Sequence, residues 1–324
     1  MALAHALQMP FDIKRLVYRR HDFLPGLFRL PSLAGIDISK SSSLLPPWPD
    51  LLISAGMRNE PISLWIKKQS PNTRIVHIGR TWANTKYFDL VVTTPQYRLP
   101  SKRNILHNTI TMHDVRDIDR NVTERIRRKY FPDLDPPYIA IMIGGDSGPY
   151  TFCRKTAERL ATTLNTLSDI KKYSLLITTS ARTPVNAIDT IENRLLVPKY
   201  VYRWRPDDPD NPYHTFLALA QKIIVTCDSV SMLSEAVATG KPVYLFDTES
   251  RFCNFSIRAF MYKGLMRFGP DRLSRDLSLV HQKLVHNGHV AWINKNGLLP
   301  FSPPPPPDDV DTTARIIRER LLSI

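Results

Sequence analysis

Short, uninterrupted runs of apolar residues recur along this chain, with longer helical stretches between them. Seven runs are predicted strands, at 51–54, 74–78, 88–93, 138–143, 173–178, 222–226 and 242–246. Their apolar residues are contiguous rather than alternating, as in parallel strands buried on both faces. Helices are predicted at 61–69, 119–130, 149–166, 184–196, 211–220 and 229–239. This repetition predicts an α/β fold built from parallel sheets with right-handed crossovers.

Two proline-rich segments divide the chain. The segment 131–138 (FPDLDPPY) follows a basic helix, and its three prolines cannot continue that helix. We therefore predict two α/β domains, 1–132 and 133–300, followed by a tail, 301–324. Five consecutive prolines at 303–307 predict a polyproline II spacer in the tail, with a closing helix after it. Such prolines can also be a ligand for an SH3-like module, but we favour the spacer.

The 324 residues include 44 Lys+Arg and 30 Asp+Glu, giving a formal net charge of +14 that is unevenly distributed. Residues 1–130 hold 21 basic and 10 acidic residues, whereas residues 131–324 hold 23 and 20. The first part should carry a positive field, which attracts nucleic acid, anionic lipid headgroups or a phosphorylated small molecule. Nucleic acid is the least favoured partner because no recognised binding module or dense arginine–aromatic stripe accompanies the charge.

Several classes of protein are excluded by absent patterns. Cys153, Cys227 and Cys253 form neither a CxxC pair nor a zinc spacing, so we expect no disulfide framework and a reducing cytoplasm. No apolar run approaches the ~18 residues of a membrane span, and the first residues lack the pattern of a secretory signal. No HExxH or comparable pair occurs among the histidines, so we expect no bound metal.

A glycine-rich turn follows the predicted strand at 138–143. In the segment IMIGGDSGPYTF, Gly144 and Gly145 lie between that strand and a helix. Glycines in such a turn let backbone N–H groups approach a phosphate, and the helix N-terminus adds positive potential. The segment matches neither GxGxxG nor a Walker loop, so a plain strand-to-helix turn is an equal alternative.

A second candidate site lies in the segment TCDSVSMLSEAVATGKPVYLF. Asp228 or Ser229 is the predicted N-cap of its helix, and Ser229 and Ser231 could bind a diphosphate at the helix N-terminus. Glu235, nearly two turns further on, could accept hydrogen bonds from ribose hydroxyls. The alternative is that the serines only cap the helix and that Glu235 is solvated. We favour ligand binding because both loops follow the carboxyl ends of parallel strands.

Three further segments contribute candidate residues. Ser180 and Arg182 follow another strand at the same edge of the sheet, and Arg182 could meet a phosphate or stack on a base. In the first domain, Arg58 also follows a strand, and we predict that it faces the cleft between the domains. His113 and Asp114 are candidates for a general base. For the arginines and for His113, an ordinary loop or structural role is the alternative.

The segments that carry these residues resemble the mitochondrial-fission "elongated mitochondria" family. The resemblance covers most of the chain and is strongest at 211–246; it is carried by PWPDLLISAGMRNEPISLWIKK, FDLVVTT, IMIGGDSGPY, LLITTSARTP and NPYHTFLALAQKIIVTCDSVSMLSEAVATGKPVYLF. That family in turn looks like GT-B glycosyltransferases. The resemblance therefore implies two Rossmann-like domains facing across a cleft, with an acceptor-side domain at 1–132 and a nucleotide-sugar domain at 133–300.

The resemblance also implies roles for the candidate residues. Glu235 would meet the donor ribose, and Ser229, Ser231, Gly144 and Gly145 would lie near the diphosphate. A nucleotide-diphosphate sugar would be the substrate, without a bound cofactor or metal. The chain departs from the family at its start, where a strand and a glycine-rich loop usually precede a helix like ALAHAL. We therefore expect the first strand of the acceptor-side domain to be missing.

Our leading hypothesis is a glycosyltransferase that uses a nucleotide-diphosphate sugar and a membrane-associated or anionic acceptor. A basic and apolar cluster could bind that region to an anionic membrane; its residues are Arg15, Arg19, Arg20, Phe23, Leu24, Leu27 and Phe28. The alternatives are a non-catalytic adaptor on a membrane surface, as the family name implies, and a nucleotide-sugar epimerase. We expect a cytoplasmic protein, attached peripherally to the membrane in the leading hypothesis. The sequence indicates no oligomeric state.

Overall fold

The computed structural model describes residues 1–19, 31–115, 119–147, 150–167, 170, 172–248, 262, 264, 275–293 and 297–322. The strands in these residues are β1 (Leu51–Ala55), β2 (Arg74–Ile78), β3 (Leu90–Thr93), β4 (Ile105–His107), β5 (Tyr138–Met142), β6 (Ser174–Thr178), β7 (Lys199–Tyr202), β8 (Ala220–Thr226), β9 (Val243–Phe246) and β10 (Val290–Trp292). The α-helices are α1 (Ala2–Ala6), α2 (Glu60–Gln69), α3 (Arg120–Tyr130), α4 (Arg154–Thr166), α5 (Val185–Arg194), α6 (Tyr213–Leu219), α7 (Val230–Ala238), α8 (Ser278–His286) and α9 (Asp309–Ile317).

The predicted α/β class with parallel sheets is confirmed. Each of the seven predicted strands and six predicted helices is present, and α9 is the predicted closing helix. Three further strands, β4, β7 and β10, were not predicted. β4 and β10 have only three residues each, too few for an apolar run to stand out, and β7 (KYVY) is not a continuous run of Val, Ile or Leu.

The first of two compact units comprises Met1–Met112 and Asp308–Ile324. Its four strands form a parallel sheet in the order β1-β2-β3-β4. Alternate residues of β2 and β3 point to opposite faces, so the sheet has two buried sides. One side packs against α1 and α9, and the other against α2.

The closing helix α9 belongs to this first unit rather than to a separate tail. The Asp309 carboxylate accepts hydrogen bonds from the backbone N–H groups of Thr109 and Ile110, both at 2.8 Å. Arg318 donates to the carbonyl oxygen of Ala6, at the end of α1, at 3.3 Å. The sequence predicts this helix only as part of a tail, 301–324, together with the proline spacer, because contacts across 200 residues leave no local pattern.

The second unit, His113–Pro307, contains a six-stranded parallel sheet. Its strand order is β10-β9-β8-β5-β6-β7. Counted from β5, this is the 3-2-1-4-5-6 order of dinucleotide-binding folds. The order reverses between β5 and β8, and ligands of open α/β sheets bind outside the carboxyl ends of the strands at such a switch point.

Helix α3 also lies in the second unit, whereas the predicted boundary at 132 would place it in the first domain. Arg125 and Lys129 both pair with Asp210, which precedes α6, and Phe131 packs against Phe216 of α6. With these units, the first holds 18 basic and 10 acidic residues and the second 26 and 20. The positive charge is therefore shared more evenly than the boundary at 132 implied.

The proline run packs against the second unit. Added Cβ atoms at Gly240 and Gly288, which follow α7 and α8, would lie 3.8 Å from Pro306 and Pro304, respectively. The Tyr244 hydroxyl donates to the carbonyl of Leu299, just before the run, at 2.9 Å. These contacts agree with a spacer that lies along the unit. All five prolines are half-buried or exposed, so the choice between a spacer and an SH3 ligand stays a prediction.

The structure bears on two features of the sequence, the state of the cysteines and membrane-spanning helices. Cys153 is disulfide-bonded, which the cysteine spacing did not predict, whereas Cys227 is a buried free thiol. Among the described residues, none of the helices has the length and apolar character needed to cross a bilayer.

We predict that Asp309→Ala destabilises the first unit by roughly 3 kcal/mol, because two backbone N–H groups lose a charged acceptor. Thermal and denaturant unfolding followed by circular dichroism would measure the change. Glu319→Ala is the control, since it removes a carboxylate of the same C-terminal segment whose ion pair with Arg315 lies at the surface. Equal destabilisation by both variants would contradict the assigned role of Asp309.

Candidate functional site

Hydrogen bonds join three loops at the carboxyl edge of the second sheet. After β5, the Gly144 N–H donates to Thr226 Oγ1 at 2.8 Å, and the Gly145 N–H donates to Asp228 Oδ2 at 2.6 Å. The Ser180 hydroxyl, after β6, donates to the Gly144 carbonyl at 2.8 Å. The loops after β5, β6 and β8 therefore form one connected network at the switch point.

The two glycines are required by close packing inside the protein. A Cβ atom on Gly144 would lie 2.0 Å from Asp228 Oδ2, and one on Gly145 would lie 2.3 Å from the carbonyl oxygen of Arg182. Both N–H groups already donate to side chains of the same unit. Their predicted contact with a phosphate stays a prediction, and the glycines have an internal role that the sequence did not reveal.

Asp228 is a buried carboxylate with one unpartnered oxygen. Its side chain is 1% exposed, and Oδ1 makes no hydrogen bond. Burial raises its pKa, while the nearby Thr226 hydroxyl, the hydrogen bond from the Gly145 N–H and the charge of Arg182 act in the opposite direction. The sequence predicts Asp228 or Ser229 as the N-cap of α7, and Ser229 is the N-cap residue.

The N-terminus of α7 is a candidate anion site. In the first backbone hydrogen bond of this helix, the Leu233 N–H donates to the Ser229 carbonyl oxygen at 3.1 Å. The N–H groups of Val230, Ser231 and Met232 therefore have no partner within the helix. The Ser229 side chain makes no capping bond, and Ser231 is exposed. N–H groups, two hydroxyls and the positive end of the helix dipole meet here.

Glu235 lies further along α7 and is held by Tyr213. The Tyr213 hydroxyl donates to Glu235 Oε2. Burial raises the pKa of Glu235, and the negative charge of Asp114 raises it further, whereas Tyr213 and His214 lower it. Burial also raises the pKa of Tyr213 well above its usual value, so its hydroxyl stays a donor. Asp114 and Glu235 thus lie in one electrostatic neighbourhood.

His113 and Asp114 belong to the second unit, at its first residues. The His113 side chain is buried and Asp114 is exposed. Asp114 is therefore the more accessible of the two candidate bases. A general-base role for either residue stays a prediction.

The two candidate arginines lie in different units. Arg182 is exposed, and its Nη1 is 3.4 Å from the carbonyl of Asp146, in the loop after β5. Arg58 lies in the first unit with its guanidinium 4.0 Å from the ring centre of Tyr18, a cation–π contact. Arg182 is thus part of the switch-point neighbourhood, while the predicted cleft position of Arg58 stays a prediction.

Three residues near this edge were not singled out from the sequence. Trp204 follows β7, is 41% exposed, and its backbone N–H donates to Thr179 Oγ1 at 2.9 Å. Tyr213 contacts Glu235, and Arg275 donates to the Ser147 hydroxyl. An exposed tryptophan after a strand is a usable signal, but the other two contacts span 22 and 128 residues and leave no local pattern.

The proposed membrane cluster lies mostly outside the described residues, and a metal site can be assessed only within them. Arg20, Phe23, Leu24, Leu27 and Phe28 of the proposed membrane cluster lie outside the described residues. Within the part of the chain that the structure describes, no group of three or more His, Cys, Asp or Glu side chains could hold a metal ion.

Fold and site together define the class of this protein: two parallel α/β units, with a candidate anion site at the topological switch point of the second. A family model described as "Mitochondrial fission ELM1" matches residues 1–321. The chain belongs to the mitochondrial fission ELM1 family.

Two curated relatives are similar over part of their lengths. The "Uncharacterized protein RP120" of Rickettsia prowazekii (strain Madrid E) is 28% identical over 229 residues, which cover 61% of this chain and 64% of the relative. "Mitochondrial fission protein ELM1" of Arabidopsis thaliana is 27% identical over 249 residues, which cover 69% and 57%. The matched part of the chain spans less than two thirds of either relative.

Solved structures with weak overall similarity include two UDP-GlcNAc 2-epimerases. The enzyme of Methanocaldococcus jannaschii, in complex with UDP-GlcNAc and UDP, has a TM-score of 0.47 at 11% identity, covering 84% of this chain and 76% of that chain. The enzyme of Neisseria meningitidis, bound to UDP-GlcNAc, has a TM-score of 0.46 at 13% identity, covering 85% and 77%. The fold assignment therefore depends on the strand order of this chain itself.

We predict that Gly145→Ala destabilises the second unit by about 1–3 kcal/mol, since its Cβ would overlap the backbone of Arg182. Thermal unfolding would report the loss. Gly264→Ala in the same unit is the control, because no atom of the described residues lies within 4 Å of its added Cβ. An unchanged unfolding midpoint for Gly145→Ala would show that the loops separate without cost.

Proposed function

We propose that the second unit binds a nucleotide-diphosphate sugar and that the protein transfers the sugar to a membrane-associated or anionic acceptor. One observation carries the proposal: the α7 N-terminus, with Ser229 and Ser231, lies at the switch point of a sheet with dinucleotide-binding strand order. Backbone N–H groups and hydroxyls at such a terminus suit a diphosphate.

The spacing along α7 matches a nucleotide. Ser229 and Glu235 are six residues apart, or about 9 Å along the axis. This is comparable to the separation between the diphosphate and the ribose hydroxyls of an extended nucleotide. Tyr213 occupies Glu235 Oε2, and a carboxylate has further lone pairs to accept a ribose hydroxyl. Tyr213 would then orient the Glu235 carboxylate that binds the ribose hydroxyl.

Other residues at this edge would complete the site. Trp204 offers an exposed aromatic face to a nucleobase. Arg182 and the α7 dipole would stabilise the charge that develops on the leaving nucleoside diphosphate, without a metal ion. Asp114, exposed and near Glu235, would serve as the base that takes a proton from the acceptor hydroxyl.

We expect Glu235→Gln to weaken nucleotide-sugar binding roughly 10- to 100-fold, because a charged acceptor for the ribose is lost while Tyr213 keeps an oxygen partner. A thermal-shift screen of UDP-, GDP-, ADP- and dTDP-sugars would identify the donor, and calorimetry would give the affinity. Glu158→Gln is the matched control, since Glu158 forms surface ion pairs with Arg154 and Arg194. Equal affinities for Glu235→Gln and wild type would contradict the ribose contact.

The reaction itself is tested by product analysis with the donor found in the screen. Transfer requires an acceptor and releases the nucleoside diphosphate. An epimerase would change the sugar with no acceptor present, and an adaptor would leave the nucleotide sugar intact.

A surface of the first unit supports the second candidate function, a membrane-surface adaptor. Residues 15–19 pair with 35–42 as an antiparallel ribbon: Tyr18 bridges Ile36, and the Asp37 N–H donates to the Val17 carbonyl at 2.7 Å. Leu16 and Tyr18 pack inward with Ile36. Successive side chains of an extended segment point to opposite sides, so Arg15, Val17 and Arg19 lie on the outward face.

That outward face alternates apolar and basic side chains. Ile13 is 55% and Val17 41% exposed, and Arg15 and Arg19 are exposed between and beside them. Ile38 is 62% exposed, in a turn within the 35–42 segment of the ribbon. Apolar side chains flanked by arginines suit the headgroup region of an anionic bilayer, where each basic residue contributes about 1 kcal/mol.

We predict that the wild-type protein floats with phosphatidylcholine vesicles containing phosphatidylglycerol and that Arg15→Glu/Arg19→Glu does not. The control, Lys68→Glu/Lys102→Glu, changes the charge equally at exposed residues of the same unit and should still float. Equal loss in both variants would indicate a non-specific charge effect and would contradict this surface.

A further inference from the structure

The Asp228 carboxylate lies beside the candidate diphosphate site. Asp228 directly precedes Ser229, the N-cap of α7. Its Oδ2 accepts the Gly145 N–H at 2.6 Å, and its Oδ1 is buried without a hydrogen-bond partner. A carboxylate and a bound diphosphate would therefore place two anions at the N-terminus of one helix.

The charges around Asp228 offset its negative charge only in part. No described residue forms an ion pair with it within 4.0 Å; the cation that acts on it is Arg182, from the loop after β6. Asp146 lies in the loop after β5, where its own carboxylate accepts the Phe152 N–H. Cys227 directly follows β8, and burial raises the pKa of its thiol to about 12, so the thiol stays neutral.

Two more titratable groups lie nearby. Burial lowers the pKa of His281, on α8, to about 4, so its ring is neutral near neutral pH. Glu235, on α7 itself, also has a raised pKa, but it is nearly two turns from the helix N-terminus. Asp228 is thus the acidic group that a diphosphate at this terminus would affect most directly.

We propose that Asp228 takes up a proton when a nucleotide diphosphate binds at the N-terminus of α7. The inference rests on the proposed function of this site. A second anion at short range in a low-dielectric site disfavours the carboxylate form and raises the pKa of Asp228 further, which favours uptake of a proton. The proton would go to Oδ1, the oxygen without a partner, and Oδ2 would keep the Gly145 N–H.

Proton uptake makes the affinity depend on pH with a definite sign. When the bound state holds more protons than the free state, lowering the pH strengthens binding. The affinity for a nucleotide sugar should therefore rise from about pH 8 to about pH 6, by up to tenfold per pH unit where one full proton is taken up.

The test is titration calorimetry of the full chain with UDP-glucose and UDP-N-acetylglucosamine in buffers of different ionisation enthalpy. Their diphosphate is a diester that stays ionised over this pH range, so any proton taken up comes to the protein. Asp228→Asn is the test variant, because its amide oxygen can still accept the Gly145 N–H. We expect uptake of up to one proton per ligand in the wild type, and a smaller uptake and flatter pH dependence in Asp228→Asn.

Equal proton uptake by Asp228→Asn and wild type would overturn the proposal, as would wild-type binding without proton exchange from about pH 6 to about pH 8. If Asp228→Asn does not fold, Glu235→Gln decides: uptake that persists in this variant supports Asp228, and uptake that disappears assigns the proton to Glu235. If the wild type binds none of the nucleotide sugars in the thermal-shift screen, the proposed function itself fails. That outcome is distinct from binding without a proton.

Discussion

The reversal of strand order between β5 and β8 is the constraint on which the second unit and its candidate site depend. Parallel strands must be joined by crossovers on one face or the other, and the reversal opens a crevice at their carboxyl ends. Here Gly144 donates to Thr226 and Gly145 to Asp228, which ties the two loops together. Side chains larger than hydrogen at these glycines would overlap Asp228 and the Arg182 backbone. The two glycines are therefore needed for the loops after β5 and β8 to pack together. That packing fixes the position of the α7 N-terminus, which follows the loop after β8.

The first unit is completed by a segment from the far end of the sequence. Helix α9 packs with α1 on the sheet of β1–β4, and the Asp309 carboxylate binds the chain after β4. The proline run before α9 packs on the second unit. A proline run suits this task because its extended conformation is restricted before folding, so less conformational entropy is lost when it packs. The proline run, through which the chain returns from the second unit to α9 of the first, is therefore itself packed.

Much of the candidate site was predictable, for a local reason. Ser229 and Ser231 stand at a strand-to-helix transition, and Glu235 follows at helical spacing, so their neighbourhood could be read from adjacent residues. Asp228 was predicted as one of two caps, but its carboxylate instead accepts the Gly145 N–H, 83 residues away. Asp114 was assigned to the first domain, yet it acts on Glu235 in the second unit. In both cases the deciding contact joins segments that are distant in sequence.

The sequence by itself determined the α/β class, the main strands and helices, and the hydroxyl-bearing helix start. These follow from apolar runs and capping patterns, which are set by neighbouring residues. Only the tertiary structure decided the strand order, the membership of α3 and α9, and the pairing of Tyr213 with Glu235. Parallel strands place no pairing signal in their own residues, because any buried apolar strand can lie beside any other; the order is chosen when helices and loops pack together.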